Sequence, residues 1–190
     1  MDTFKERLNQ IIPAITSDHF LKGRGLGNEI AFYIFDYPPE KELEVRKHIE
    51  FVLKYLNRKR PDLRIKHVNL FELVIGYLKE RRLLDKALKI QMEKGDRQLL
   101  KAIKAPLDPA KIARVFVNRA EPDNHHMVLV SGAGTVWPLM RTRNLLNNLH
   151  PLMDSTPLVL FYPGVFTGYG LQLFGRLKES NYYRAFRLVS

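Results

Sequence analysis

The sequence contains no cysteine. That excludes any disulfide or thiolate metal centre and fits a reducing compartment. It also lacks the run of about 18 apolar residues that a membrane-spanning helix requires. Its opening, Met1-Asp2-Thr3-Phe4-Lys5-Glu6, lacks the basic-then-apolar order of a secretory signal. The expectation is a soluble, cytoplasmic protein with no membrane partner. No internal repeat, low-complexity stretch or long linker divides the 190 residues, so a single α/β domain over 1–190 is expected. Acidic residues are the scarcer charge: 20 Asp and Glu stand against 31 Lys and Arg, for a net charge of +11. Such a balance favours nucleic acid or an acidic protein as partner.

What is present is an alternation of strand-like and helix-like segments. Phe4, Leu8, Ile11 and Ile12 begin an amphipathic segment that ends at the glycines of Gly23-Arg24-Gly25-Leu26-Gly27, and Ile30 to Phe35 then reads as a buried strand. After Pro38-Pro39, Leu43, Val45, Ile49, Val52, Leu53 and Leu56 recur at helical spacing. Leu63 to Leu70 reads as a second strand and Phe71 to Leu78 as a second helix. Residues 79–120 are helix-rich and basic, with Gly95 ending one helix, Asp96 capping the next, and Asp108-Pro109 opening a third. They read as a helical insertion. Met127 to Val130, Leu158 to Phe161 and Tyr182 to Val189 are further candidate strands. The pattern predicts a three-layer α/β sandwich with a mainly parallel sheet and that insertion.

The best enzyme-like signal is Ser131-Gly132-Ala133-Gly134-Thr135, an apolar run followed by a glycine turn and a helix-like stretch. A nucleoside-triphosphate cradle needs a following lysine for the outer phosphates and a Ser or Thr for Mg²⁺. Here Val136-Trp137-Pro138 follows, with Pro138 marking the start of a helix. A dinucleotide fingerprint fails too, since Trp137 stands at the third glycine position. Asp36, ending the first strand, has the look of a Mg²⁺-holding carboxylate but precedes the turn. The fold is at most a degenerate P-loop relative, and the glycines read as a sharp strand-to-helix turn. No cofactor is expected.

Other constellations are weaker. Adjacent His125 and His126 point to opposite faces of a strand and lack companions, so they read as the start of a strand and no metal site is expected. His19, His48, His67 and His150 are dispersed, with no nucleophile-elbow order, although spacing leaves a spatial triad open. Arg58-Lys59-Arg60 with Arg64 and Lys66 reads either as a salt-dependent phosphate contact or, more readily, as a solvated helix end. Asn181 to Arg187 reads either as a base-stacking surface or as a strand. No catalytic residue is expected.

Four stretches, "GLGNEIAFYIFDYPPEKELEVR" (25–46), "VNLFELV" (68–74), "GAGTVWPLMRTRNLLNNL" (132–149) and "PLVLFYPGVFTGYGLQLFGRLKESNYYRAFRLV" (157–189), together resemble the BrxB family of BREX bacteriophage-exclusion systems. The resemblance covers most of the chain, the helical insertion least. It implies a small cytoplasmic component of a defence system that also contains a DNA methyltransferase, an ATPase and a PglZ-type alkaline-phosphatase-like protein. It implies no settled enzymatic activity, and it makes the PglZ-type protein the expected partner.

Two function classes follow: a non-catalytic adaptor, or a nucleic-acid or nucleotide binder acting on DNA directly. For the adaptor, the expected partner surface joins the loop Tyr162 to Gly170 with the turn Gly132 to Trp137, both at the carboxyl edge of a parallel sheet. It presents Trp137, Phe166 and Tyr169 with Arg141 and Arg143, residue types that dominate binding hot spots. The same rings could instead fold back over the sheet end. Nucleic-acid contact, if any, is expected to be weak and nonspecific.

Overall fold

Period-two alternation builds the sheet, and helical spacing builds its two coats. The computed structural model describes residues 3–21, 32–153, 155–178 and 185–190. Helices α1 (Thr3–Ile15) and α2 (Asp18–Leu21) come first, then β1 (Phe32–Tyr37), α3 (Glu42–Lys59), β2 (Ile65–Asn69) and α4 (Leu70–Glu80). Helices α5 (Leu84–Lys94), α6 (Asp96–Ile103) and α7 (Pro109–Ala120) lead to β3 (Met127–Ser131), α8 (Thr142–Leu149) and β4 (Leu158–Phe166). The short strands β5 (Leu171–Leu173), β6 (Leu177–Lys178) and β7 (Phe186–Arg187) close the chain. The main sheet has the order β2-β3-β4-β1-β7, and its pairs are parallel. Beyond that sheet's carboxyl edge the end of β4 turns into an antiparallel ribbon, with Gly164 opposite Leu173 and Phe166 opposite Leu171.

Alternation along each strand feeds two separate cores. Phe32 and Ile34 of β1, Val128 and Val130 of β3, and Leu158, Leu160 and Tyr162 of β4 face α4, α7 and α8. Tyr33, Phe35 and Tyr37, Met127 and Leu129, and Val159 and Phe161 face α1 and α3. Both faces are covered, as an all-parallel sheet demands. The helices match: α1 buries Phe4, Leu8, Ile11 and Ile15, and α3 buries Val45, Ile49, Val52 and Leu56, each set recurring every three or four residues. Leu43, in the same helical pattern, is 70% exposed because it falls off that stripe.

Several sequence expectations are refined. The first strand runs to Tyr37, and Ile30 and Ala31 lie outside the described residues. In the last candidate strand, Phe186 and Arg187 pair with β1, while 182–184 lie outside the described residues. The 79–120 segment divides in two. Helix α7 buries Ile112, Ala113, Phe116 and Ala120 and is the ordinary crossover helix into β3, whereas α5 and α6 bury little. Asp108 caps α7, accepting from the Ala110 and Lys111 amides with Pro109 in the first turn. Asp96 does not cap α6: Gly95, at φ 77°, ends α5 and starts α6 at once.

Asp36, at the end of β1, ties together parts of the chain far apart in sequence. The residue is 6% exposed. Oδ1 accepts from Arg7 of α1 at 2.9 Å and from Arg187 of β7 at 2.5 Å, and Oδ2 accepts the Phe166 amide of β4 at 2.9 Å. Arg7 also donates to the Asp36 and Val189 carbonyls, and Arg187 donates to the Phe166 carbonyl. Asp36→Asn leaves two guanidinium groups without their counter-charge. The expected cost is about 2–4 kcal/mol, somewhat less than for a fully buried pair, since Arg187's side chain is 35% exposed. Thermal denaturation should show a melting temperature lower by about 5–15 °C for a chain of this size.

Candidate functional site

Because β1 to β4 run parallel, their carboxyl ends gather the residues that carry chemistry along one edge: Asp36, Asn69, Ser131 and Tyr162. This edge is where open α/β sheets hold ligands.

The glycine turn is packed. Ala133 and Val136 are buried in the core against α8 and β4, at 1% and 0% exposure. Gly132 has φ 79°, and a Cβ there would lie 2.6 Å from Asn69 Oδ1, which caps α4 through the Phe71 and Glu72 amides. At Gly134 a Cβ would meet Pro163 Cγ at 2.9 Å and the Phe174 ring at 3.0 Å. These glycines allow a positive φ and a close approach. Pro138 does not start a helix: residues 133–139 form irregular turns and α8 begins at Thr142. A phosphate cradle sets its loop directly against a helix N-terminus, an arrangement this turn does not have. Asp36 is already engaged by two guanidinium groups and an amide. That positive surrounding opposes the binding of a divalent cation.

The expected partner residues separate into two groups. The guanidinium of Arg141 lies 4.9 Å from the centre of the Trp137 ring, a cation–π pair. Trp137 is half-buried against the core, Arg141 is exposed, and Arg143 on the first turn of α8 is half-buried. Tyr169 is 68% exposed in a turn closed by the Thr167 hydroxyl, which accepts from the Gly170 amide at 3.0 Å. Phe166, by contrast, is 1% exposed and is not a surface residue. The stretch from Tyr162 is strand, not loop, as far as Phe166; the Phe166 ring joins Leu171 and Leu173 in the core, and its backbone is held by Asp36 and Arg187. Sequence reading missed Phe174, 36% exposed with φ 56°, whose amide donates to the Pro163 carbonyl at 2.8 Å. The Phe174-Gly175 pair between two short apolar strands was the available signal of a hairpin. Through Gly134, Pro163 and Phe174 the two expected loops do meet.

Four of the histidines make contacts within the fold. His126 Nδ1 accepts the Arg64 amide at 3.0 Å, His125 Nδ1 lies 2.9 Å from the Glu121 carbonyl, and His150 stacks on Phe32. His67 Nε2 lies 2.9 Å from the Ser131 hydroxyl, joining β2 to β3 in a contact of the nucleophile–base type that spacing had left open. Arg60, of the basic helix end, pairs with Asp62 at 2.7 Å. Among the described residues no group of three or more His, Cys, Asp or Glu could hold a metal ion. Burial pushes His67 below the ordinary imidazole range, against an opposing pull from Glu72. Burial does the same at His48, opposed by a hydrogen bond to the Leu8 backbone and by Glu44. With folded pKa values depressed, both contributions to stability are complete above about pH 6.5, the unfolded value, and are lost as the pH falls below it. The melting temperature should therefore drop between about pH 7 and pH 5, and His67→Gln should make that drop shallower; an unchanged slope in His67→Gln and in His48→Gln would contradict the assignment.

A family model described as BREX protein BrxB matches residues 66–188. A protein named BREX protein BrxB from Bacillus cereus (strain H3081.97) is 38% identical over 100% of this chain and 99% of its own length. Another of that name, from Escherichia coli O9:H4 (strain HS), is 39% identical over 96% of this chain and 90% of its own. No solved structure matches the chain. It belongs to the BrxB family of BREX proteins.

Proposed function

We propose that this protein is a non-catalytic adaptor of a BREX phage-defence system, acting in the cytoplasm and binding the PglZ-type alkaline-phosphatase-like component through the carboxyl edge of its sheet. Family membership supports a role within BREX. The observation that carries the adaptor reading is the state of that edge. Its carboxylate is neutralised by Arg7 and Arg187, and its glycine turn is filled by Asn69, Pro163 and Phe174. The side chains at this edge that reach the surface are large: the Trp137–Arg141 pair, Tyr169 and Phe174. An interface wants aromatic and arginine anchors more than a cavity. No helix among the described residues is long and apolar enough to cross a membrane.

The direct test measures binding of the purified PglZ-type protein to single variants. Arg141→Ala and Tyr169→Ala, both at exposed positions, should each weaken the complex by about 2 kcal/mol, roughly 30-fold, while leaving the melting temperature unchanged. Phe166→Ala is the contrasting control: as a core truncation it should lower stability by about 3–5 kcal/mol. Undiminished binding in both surface variants places the interface elsewhere.

The excess of basic residues favours a second reading, direct contact with DNA. Counterion release then gives weak binding that is independent of sequence and falls steeply with salt. A large excess of MgATP should leave the melting temperature unchanged, whereas a bound nucleotide at about 100 times its Kd adds about 2.7 kcal/mol of stability. Sequence-selective nanomolar DNA binding, or a clear nucleotide-induced rise, would overturn the adaptor reading.

A further inference from the structure

The hairpin of α5 and α6 does not take part in the edge just described. It is held to the body by few groups: Ala87, Ile103 and Leu107 are buried, and Leu83, Leu84, Leu99 and Leu100 are half-buried. From Gln91 to Gln98 every residue is exposed. The tip is nevertheless well formed. The Gly95 amide donates to the Gln91 carbonyl at 2.8 Å, the Gly95 carbonyl accepts the Gln98 and Leu99 amides, and the Gln91 side chain donates to Asp96 at 3.1 Å.

Two features of this hairpin face solvent, apart from a Lys89–Glu93 pair at 3.8 Å along α5. Leu88 and Met92, one helical turn apart on α5, are 48% and 87% exposed. Around them lie the exposed cations Lys86, Lys89, Lys94, Arg97, Lys101 and Lys104, against the three exposed acids Asp85, Glu93 and Asp96. The wider segment 79–120 holds 12 Lys and Arg against 5 Asp and Glu, a net +7 of the chain's +11. An apolar pair inside a cationic rim matches an acidic-rimmed apolar groove, in the manner of a helix laid into a groove. Nucleic acid fits less well. Phosphates give a methionine and a leucine nothing to contact, and Asp85, Glu93 and Asp96 on the same short hairpin repel them.

We infer that the α5–α6 hairpin is a second docking element, inserting Leu88 and Met92 into an apolar groove, rimmed by Asp and Glu, on another protein. It is independent of the carboxyl-edge interface, so either can fail without the other.

The test places a photo-crosslinking residue at position 92 of the full chain in cells carrying the complete defence system, and identifies the crosslinked peptides. The expected product is a defined peptide of another component of the system, apolar with neighbouring Asp or Glu. With that component purified, Leu88→Ser with Met92→Ser should weaken binding tenfold or more, on the order of a hot-spot loss. Lys89→Glu with Arg97→Glu should weaken it as well, the melting temperature holding in both double variants. Crosslinks released by nuclease make the hairpin a nucleic-acid element. Crosslinks to a second copy make it a self-association surface. Either result, an absence of crosslinks, unchanged affinity, or a lower melting temperature in the serine variant, overturns the inference.

Discussion

Asp36 stands where α1, β1, β4 and β7 meet, and its single negative charge is shared by two arginines from nearly opposite ends of the chain. Without that carboxylate, Arg7 and Arg187 would face each other in a partly desolvated space. With it, the N-terminal helix is fastened to the sheet and the short C-terminal strand is fixed beside β1. The Phe166 amide, bonded to the same carboxylate, fixes where β4 leaves the parallel sheet and begins its antiparallel ribbon. One ionic group thus decides both how the termini are held and where the hairpin stands.

This explains why a carboxylate at the end of a buried strand of a parallel sheet is directed to assembly. A metal-binding Asp needs free lone pairs and a neutral or negative surrounding, and Asp36 has two cations on one oxygen and an amide on the other. The neighbouring glycine turn follows the same logic. Its small residues make room for Asn69, Pro163 and Phe174 in place of a phosphate, so the turn and the hairpin brace each other. The result is a firm edge carrying Trp137, Arg141, Phe174 and Tyr169, suited to pre-organised contact with a large partner.

Much of the fold was legible because burial leaves a periodic trace. The apolar strands read at 30–35, 127–130 and 158–161 and the stripe of α3 follow from spacing, and they overlap β1, β3 and β4. The missing lysine after the glycine turn is a local fact, legible without the fold. What escaped the sequence depends on contacts across long separations. Nothing near Asp36 announces Arg187, 151 positions away. Phe166 has the composition of a binding loop, and its burial is set by the β4–β5 pairing and the Asp36 bond. Phe174-Gly175 signals a turn, but the place of Phe174 beside Gly134 is set by the β4–β5 pairing. The apparent insertion likewise divided once α7 was seen to cover the sheet.

The central claim is that the carboxyl edge is a protein-docking surface. Hydrogen exchange of the full chain, alone and saturated with the PglZ-type protein, tests it most directly. The account predicts new protection in the amides of 133–141 and 167–175, with the far ends of β1 and β3 unchanged. A complex that forms while the exchange of both loops stays as in the free protein would contradict it.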